Sequence, residues 1–512
     1  MMNKTKEINA SLALLAKGSF FVFLGLIFSK IFTYLYKIGI ARLFGPEIYG
    51  LFSLAVMIVG FAIVIASLGL NDGLIRYISL YRKKKDIGKS KYLLKLTFGI
   101  IFISSMLVGI ITFFLSEYLA VNVFHNSELT IFLKFFSIVI PFSVLSNTYL
   151  AVIRSYEKVG LYSFIVNFFH NGLKLTLFGL FILIGFKSEA IIYSYLFSFV
   201  GIMIISYYGA RPLLKLIFFS KKIEKNRLKI RKEFFSYSWP IVFLGLIGVL
   251  FYWTDSFVIG YFKTASDVGF YNVAFTIAGL IGIAPELFMY LFLPLIVKEY
   301  SYKNLKVITE ITKQVSKWIF ILNLPLFIII FLFPGTIINL LFGSQFIMAK
   351  NTLKILALGS LIAASFIPVC NNLLSMKGKS KLLLFNLIVI SSINLVLNIF
   401  LVPRYGLEGA AISTVFSWFL LTGILVIQVK NNLSIVPIRK SMLKIGLISI
   451  IPTLLILYLK NFIVINIISL IILGVLFITL YFLLILLSKS LDKKDIMVLN
   501  KIKEKVFSKY KR

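Results

Sequence analysis

Apolar runs of about 20 residues recur from Leu12 to about Leu487, separated by short clusters rich in Lys, Arg, Asn, Gly and Pro. Wound as an α-helix at 1.5 Å per residue, a run of that length crosses the roughly 30 Å hydrocarbon core of a bilayer. Reading runs against breaks predicts fourteen spans. Seven lie at about 17–41, 47–70, 93–115, 131–152, 161–185, 190–209 and 238–261. The other seven lie at about 269–297, 314–333, 349–373, 382–401, 408–428, 443–459 and 462–487. Only Lys460 and Asn461 divide the last two.

Composition agrees with an all-α integral membrane protein. Of 512 residues, 60% are hydrophobic and 14% charged, which is outside the soluble range and leaves no room for a separate soluble domain. The net charge of +35 would point to nucleic acid in a soluble chain. Here the cations sit between apolar runs, where they set orientation and meet anionic headgroups, so membrane lipids are the expected partner and nucleic acid is not. Assigning loops alternately to two sides puts 43 Lys and Arg on the side of the termini and 8 on the other, with three inside spans. The positive-inside rule then places both termini in the cytoplasm. The apolar stretch after Lys4 and Lys6 runs past Lys30 without a small-residue cleavage site and reads as a retained first helix.

The chain also repeats. Gly50-Leu-Phe-Ser-Leu-Ala-Val-Met-Ile58-Val-Gly60 aligns with Gly269-Phe-Tyr-Asn-Val-Ala-Phe-Thr-Ile277-Ala-Gly279 at an offset of 219. Ala190-Ile-Ile192 aligns with Ala410-Ala-Ile412 at 220. That offset covers six spans, so two six-helix bundles share one orientation about a pseudo-two-fold axis along the membrane normal. The expected organisation is an N-terminal bundle with a basic linker (1–236), a C-terminal bundle (237–429), and two further helices with a basic tail (430–512). Two such bundles enclosing a cavity that opens alternately to either side is the architecture of a transporter.

Ionisable side chains inside spans are costly and tend to face cavities or partners. Lys30, Tyr34 and Lys37 fall at i, i+4 and i+7 on one helical stripe, and two ammonium groups there suit an anion. Asn167, His170 and Lys174 form a second stripe in span five, and the repeat places Asn386 and Asn394 at matching positions of span eleven. Asp255 in span seven corresponds by offset to position 36, near the depth of Lys37. Glu286 follows Pro285, whose missing N–H loosens the helix; Pro141, Pro325 and Pro368 are expected to interrupt other spans.

Several chemistries drop out. Cys370 is the only cysteine and His125 and His170 the only histidines, so no disulfide, Cys-x-x-Cys pair or His/Cys zinc site is expected. There is no Gly-x4-Gly-Lys-Ser/Thr loop for ATP, and the outer loops are too short for the acids and arginines that membrane glycosyltransferases place there. The expectation is a transporter without a cofactor, not an enzyme.

Ala41-Arg-Leu-Phe-Gly45-Pro46-Glu47-Ile-Tyr49-Gly50 and Gly69-Leu-Asn-Asp-Gly73-Leu-Ile-Arg76-Tyr resemble the first two helices of the oligosaccharide (polysaccharide biosynthesis) flippases of the MATE-like multidrug/oligosaccharidyl-lipid/polysaccharide exporter superfamily. Asp255 with Val268-Gly-Phe-Tyr271, Leu341-Phe-Gly343, and the segment from Asn394 and Asn398 through Pro403, Gly406 and Gly409 to Ala411 are similar to that family's later motifs. The resemblance implies ion-coupled alternating access that moves a polyprenyl- or dolichyl-diphosphate-linked oligosaccharide from the cytoplasmic to the outer leaflet of the cell membrane. It implies a cationic cavity to which Lys30, Lys37, Lys174 and Arg76 fit, with Tyr34, Asn167, His170 and Asn394 beside them. Asp255 or Glu286 would couple to a proton or sodium gradient. Glycosyltransferases or a polymerase of the same pathway would be partners, and the chain would act as a monomer. The alternative is a multidrug or metabolite cation antiporter of the same superfamily, a site that would need more carboxylate than cation.

Overall fold

The computed structural model describes residues 2–219, 227–463, 466–488 and 490, with side chains described from Leu24 onward except at 287 and 291. The basic tail expected after Leu487 lies almost wholly outside the described residues. In chain order the helices are α1 (Met2–Ser67), α2 (Leu70–Lys83), α3 (Ile87–Tyr118), α4 (Leu129–Ser137), α5 (Val139–Ser155), α6 (Val159–Ser163), α7 (His170–Ile184), α8 (Glu189–Phe218) and α9 (Arg227–Phe262). They continue as α10 (Ala265–Ala278), α11 (Ile283–Ser301), α12 (Leu305–Leu332), α13 (Pro334–Phe342), α14 (Lys350–Met376), α15 (Ser380–Leu433), α16 (Lys440–Lys460) and α17 (Ile467–Leu487). Among the described residues there is no strand.

Twelve helical stretches among the described residues are long and apolar enough to cross a membrane. Two of these, Leu24–Ser67 and Ser380–Leu433, each contain two of the fourteen predicted spans. They are bent where the sequence breaks. Gly45 in α1 has φ 78° and Gly406 in α15 has φ 55°, left-handed conformations that glycine adopts without a Cβ clash. Pro46 and Pro403 sit beside these kinks.

Proline effects depend on position. Pro141 lies in the first turn of α5 and Pro285 in the first turn of α11, where backbone N–H groups lack helical partners in any case. A tight 3-10 turn, Gly279–Gly282, precedes Pro285. Contrary to the expectation of interruption, α12 runs through Pro325 and α14 through Pro368. Packing on neighbouring helices tolerates the lost hydrogen bond there.

Two helices lie in what reads as connecting sequence. α2 is amphipathic: Leu70, Leu74, Ile78 and Tyr81 are buried at helical spacing, whereas Asp72 and Arg76 are exposed. α13 starts with Pro334 at its first turn and stops at Gly343, with φ 105°.

The backbone divides into two compact units, Met1–Val273 with Leu387–Ser413, and Ala274–Asn386 with Thr414–Arg512. In the first, the repeat is visible as a contact. A Cβ on Gly50 would strike the carbonyl of Ala265, and a Cβ on Gly269 would strike the carbonyl of Pro46. Both the glycines and the carbonyl residues are 219 positions apart, so each half makes the same contact to the other, the signature of a two-fold relation. Only glycine permits this close crossing of α1 and α10.

In the second unit, Asn386 and Gln428 form a reciprocal amide pair at 2.7 and 2.9 Å within α15. Gly359 of α14 lies beneath Val415 and Trp418. Tyr481 of α17 donates to the Ile321 carbonyl of α12 at 3.1 Å, tying the last helix to the bundle.

Candidate functional site: charged residues within the spans

α1 carries two adjacent polar stripes. Lys30, Tyr34 and Lys37 are all half-buried, on the stripe the spacing predicts. One position over, Ser29, Thr33 and Tyr36 repeat the same i, i+4, i+7 spacing and bind neighbouring helices. Asn171 donates to Ser29 Oγ at 3.0 Å and accepts from Thr33 Oγ1 at 3.4 Å. The buried Tyr36 hydroxyl lies 3.2 Å from Ser194 Oγ and 3.4 Å from the Ile191 carbonyl of α8.

The second stripe is shaped by an irregularity. Phe164–Phe169 is π-helical, and Asn167 lies within it while His170 begins α7. A π-turn frees carbonyls that an α-helix would bond, and Asn171 Nδ2 lies 3.3 Å from those of Val166 and Asn167. Asn167 donates to Ser163 Oγ at 3.0 Å. The turn thus fixes the rotation at which Asn167, His170 and Lys174 leave the helix.

These side chains come together. The ammonium of Lys174 sits 5.0 Å from the Tyr36 ring centroid and 5.9 Å from that of Tyr195, both within cation–π range. His170 Nε2 lies 3.4 Å from Ser198 Oγ, and its ring packs edge-on against Phe199. Lys30 and Lys37 stand on the same helix as Tyr36, and Lys174 and His170 on α7, which packs against it through Lys174–Tyr36 and Asn171–Ser29. Three lysines and a histidine are therefore carried by two helices in contact within the first unit.

Arg76 stands apart, on α2. It is exposed and stacks its guanidinium 4.1 Å from the Tyr237 ring. Its neighbour Tyr77 donates to the Glu233 carbonyl at 3.1 Å, and burial holds the Tyr77 phenol above its ordinary pKa, so it stays a neutral donor.

Asp255 is buried at the α9–α10 contact. It accepts hydrogen bonds from the Tyr271 hydroxyl and, at 2.8 Å, from Asn398 Nδ2. The Asn398 amide also donates to the Asn394 carbonyl at 2.9 Å, which fixes its orientation. One step along the same contact, Asn272 donates to Ser256 Oγ at 3.0 Å. Asn394 is buried on α15 beside this network. Glu286 belongs to the second unit, exposed in the first turn of α11.

Tyr36, Asn171 and Tyr195 complete the first cluster and were not singled out by spacing; Asn398, named with Asn394 in the sequence motif, completes the second. Their signal in the sequence is a polar atom inside an apolar span, diluted by 25 tyrosines. Lys317, near the start of the predicted span 314–333, is fully buried within α12 of the second unit.

The sequence profile of the family described as polysaccharide biosynthesis protein matches residues 15–297, more than half the chain. The chain belongs to this polysaccharide biosynthesis family. The MatE profile matches residues 240–400. Among curated relatives, a putative O-antigen transporter of Shigella flexneri is 27% identical over 73% of this chain and 88% of its own length. A probable low-salt glycan biosynthesis flippase, Agl15, of Haloferax volcanii is 28% identical over 46% of this chain and 48% of its own. Among solved structures, lipid II flippase MurJ in an inward closed conformation aligns with TM-score 0.68 at 16% identity, covering 90% of this chain and 97% of that one. An inward-facing multidrug resistance MATE transporter aligns with TM-score 0.60 at 16% identity, covering 81% and 98%. These likenesses establish a MurJ- and MATE-like fold for this member of the polysaccharide biosynthesis family.

Proposed function

We propose that the protein is a flippase that carries a polyprenyl- or dolichyl-diphosphate-linked oligosaccharide from the cytoplasmic to the outer leaflet of the cell membrane. The observation that carries this reading is Lys174 of α7 seated over Tyr36 of α1, the helix that also bears Lys30 and Lys37, inside the spans of a polysaccharide biosynthesis family member. A lysine at mid-membrane costs about 2.5–3.5 kcal/mol on insertion scales, so cations kept on two helices in contact suit an anionic cargo. A diphosphate supplies two adjacent anionic groups, and ammonium ions bind phosphate as point charges. The Tyr36 and Tyr195 rings hold Lys174 while the site is empty, so it does not require a fixed carboxylate that would compete with cargo. The lipid tail stays in hydrocarbon, which avoids carrying it through a polar path.

In this reading the two six-helix halves alternate, with both termini in the cytoplasm. Asp255, held by Tyr271 and Asn398, is the leading site for a coupling proton or sodium ion, with Glu286 second. The chain performs no bond chemistry, needs no cofactor, and acts as a monomer beside the glycosyltransferases or polymerase that make and use its cargo.

The MatE match over 240–400 includes Asp255 and supports a second reading, export of a cation. One experiment separates the two: depletion in the native cell followed by leaflet-resolved analysis of lipid-linked oligosaccharides. Accumulation on the cytoplasmic side with loss of surface glycan is expected. An unchanged glycan pool with new sensitivity to cationic drugs would overturn the flippase in favour of the antiporter.

A further inference from the structure

Away from the intramembrane cluster, a cavity of about 570 Å³ opens between α3, α5 and α8 of the first unit. Three cations line it, Lys95 from α3 and Arg211 and Lys215 from α8, with Phe98, Tyr149 and Tyr207 as its walls. All three cations are exposed. The aromatic walls are ordered against each other: Phe98 and Tyr149 centroids are 5.2 Å apart, and Tyr149 and Tyr207 meet edge-on at 5.5 Å. Among the described residues, no carboxylate lines it.

Depth identifies the ligand. Lys95 lies eight residues into α3 and Arg211 seven residues before the end of α8, so both sit roughly 11–12 Å from the helix ends on the basic side. Beyond them each helix still extends about 32–36 Å, enough to cross the hydrocarbon core of roughly 30 Å. The cations therefore stand at the headgroup level of the leaflet on the basic side. On the hydrocarbon side of them Phe102 and Ile103 of α3 and Ile204 of α8 are 50%, 60% and 47% exposed, a surface suited to an acyl chain rather than to water.

Loop cations that only set orientation need neither a shared cavity nor aromatic walls. We propose that Lys95, Arg211 and Lys215 bind the phosphate headgroup of an anionic glycerophospholipid of that leaflet, with its chains running along the α3–α8 surface. The fork of Arg211 grips two phosphate oxygens, and the two ammonium groups add charge without fixed geometry. Basic recesses between membrane helices are known to take anionic headgroups in this way. The site involves none of the cargo-binding residues, and the inference stands whichever cargo is carried.

The test uses the full-length protein in mild detergent, titrated with phosphatidylglycerol or phosphatidylcholine and read by native mass spectrometry. The intact protein is expected to retain phosphatidylglycerol about tenfold more strongly than phosphatidylcholine. K95Q/R211Q/K215Q is expected to retain the two lipids equally. Tyr207→Trp narrows the cavity with every cation in place and is expected to lower phosphatidylglycerol retention at least threefold. Unchanged preference in the triple variant would overturn the site. Loss of preference in the triple variant with full retention in Tyr207→Trp would replace it with diffuse surface attraction. Displacement of phosphatidylglycerol by equimolar farnesyl diphosphate would assign the cavity to the cargo instead.

Discussion

Two places in the first unit occupy the same point of the repeat and carry opposite charge. In one half Tyr36 packs on Phe52 with ring centroids 5.9 Å apart, and Lys174 sits over Tyr36. In the other half, 219 positions on, Asp255 replaces Tyr36 and Tyr271 replaces Phe52, and the two are hydrogen-bonded. At an offset of 220, Lys174 is matched by Asn394, whose carbonyl orients the Asn398 amide on Asp255. One backbone frame thus holds a cation over an aromatic ring in one copy and a carboxylate between two donors in the other. The repeat is conserved as geometry. Its chemistry has diverged at the buried positions, where the low dielectric magnifies each charge.

The largest effect should come from destroying the frame the two places share. Gly50→Leu or Gly269→Leu forces a side chain into the carbonyl of the opposite half, and folded, membrane-extracted protein should drop to a small fraction of normal in size-exclusion yield. Normal yield from either variant would refute the close crossing of α1 and α10.

Next come the charges. Lys30→Ala and Asp255→Ala should each abolish glycan export while leaving insertion intact, as read by surface glycan and membrane-fraction abundance. Normal export in both would remove these residues from the site. Asp255→Ala also strands the Tyr271 and Asn398 donors, at about 1–3 kcal/mol of stability, so its melting temperature should fall more than that of Lys30→Ala.

A sharper variant makes the two places alike. Tyr36→Asp puts the carboxylate of the second half beside Lys174 in the first, where it would neutralise a cation proposed to bind cargo. Glycan export should fall about tenfold or more, the loss of one charge-assisted phosphate contact of roughly 1.5–3 kcal/mol. Tyr36→Phe keeps the ring and should keep most of the export; equal losses in both variants would show that the hydroxyl, not the charge balance, matters.

The smallest effect is expected from Tyr271→Phe, which removes one donor to Asp255 and leaves Asn398 in place. A net cost of about 1 kcal/mol is expected in thermal stability. A change in the pH or sodium dependence of export, with little change in yield, would support Asp255 as the coupling site.

Much of this could be read along the chain because the bilayer imposes one rule, that backbone groups be satisfied within each helix. Each predicted span falls mainly on helix among the described residues, and the breaks at Gly45-Pro46 and from Pro403 to Gly406 coincide with two positive-φ kinks. The stripes of Lys30 and Lys37 and of Asn167, His170 and Lys174 follow from helical spacing, and the structure brings them together. What spacing does not convey is which neighbour each stripe meets. Ser29, Thr33 and Tyr36 have the same period as Lys30, Tyr34 and Lys37, and only the folded positions of Asn171 and Ser194 give the first three their partners. α2 and α13 were read as connections because they are short or strongly charged, and their apolar faces have meaning only against the helices that cover them.

The sequence by itself determined the membrane environment, the order of the helices, the repeat and the surplus of cations within the spans, since hydropathy, helical period and charge are local or additive along the chain. Tertiary structure decided the rest. It set Gly50 against Ala265 and Gly269 against Pro46, Lys174 over Tyr36, Asp255 between Tyr271 and Asn398, and three interfacial cations around one cavity. Those pairings join residues tens to hundreds of positions apart, and whether two such side chains meet depends on helix rotation and crossing distance, which no single helix encodes.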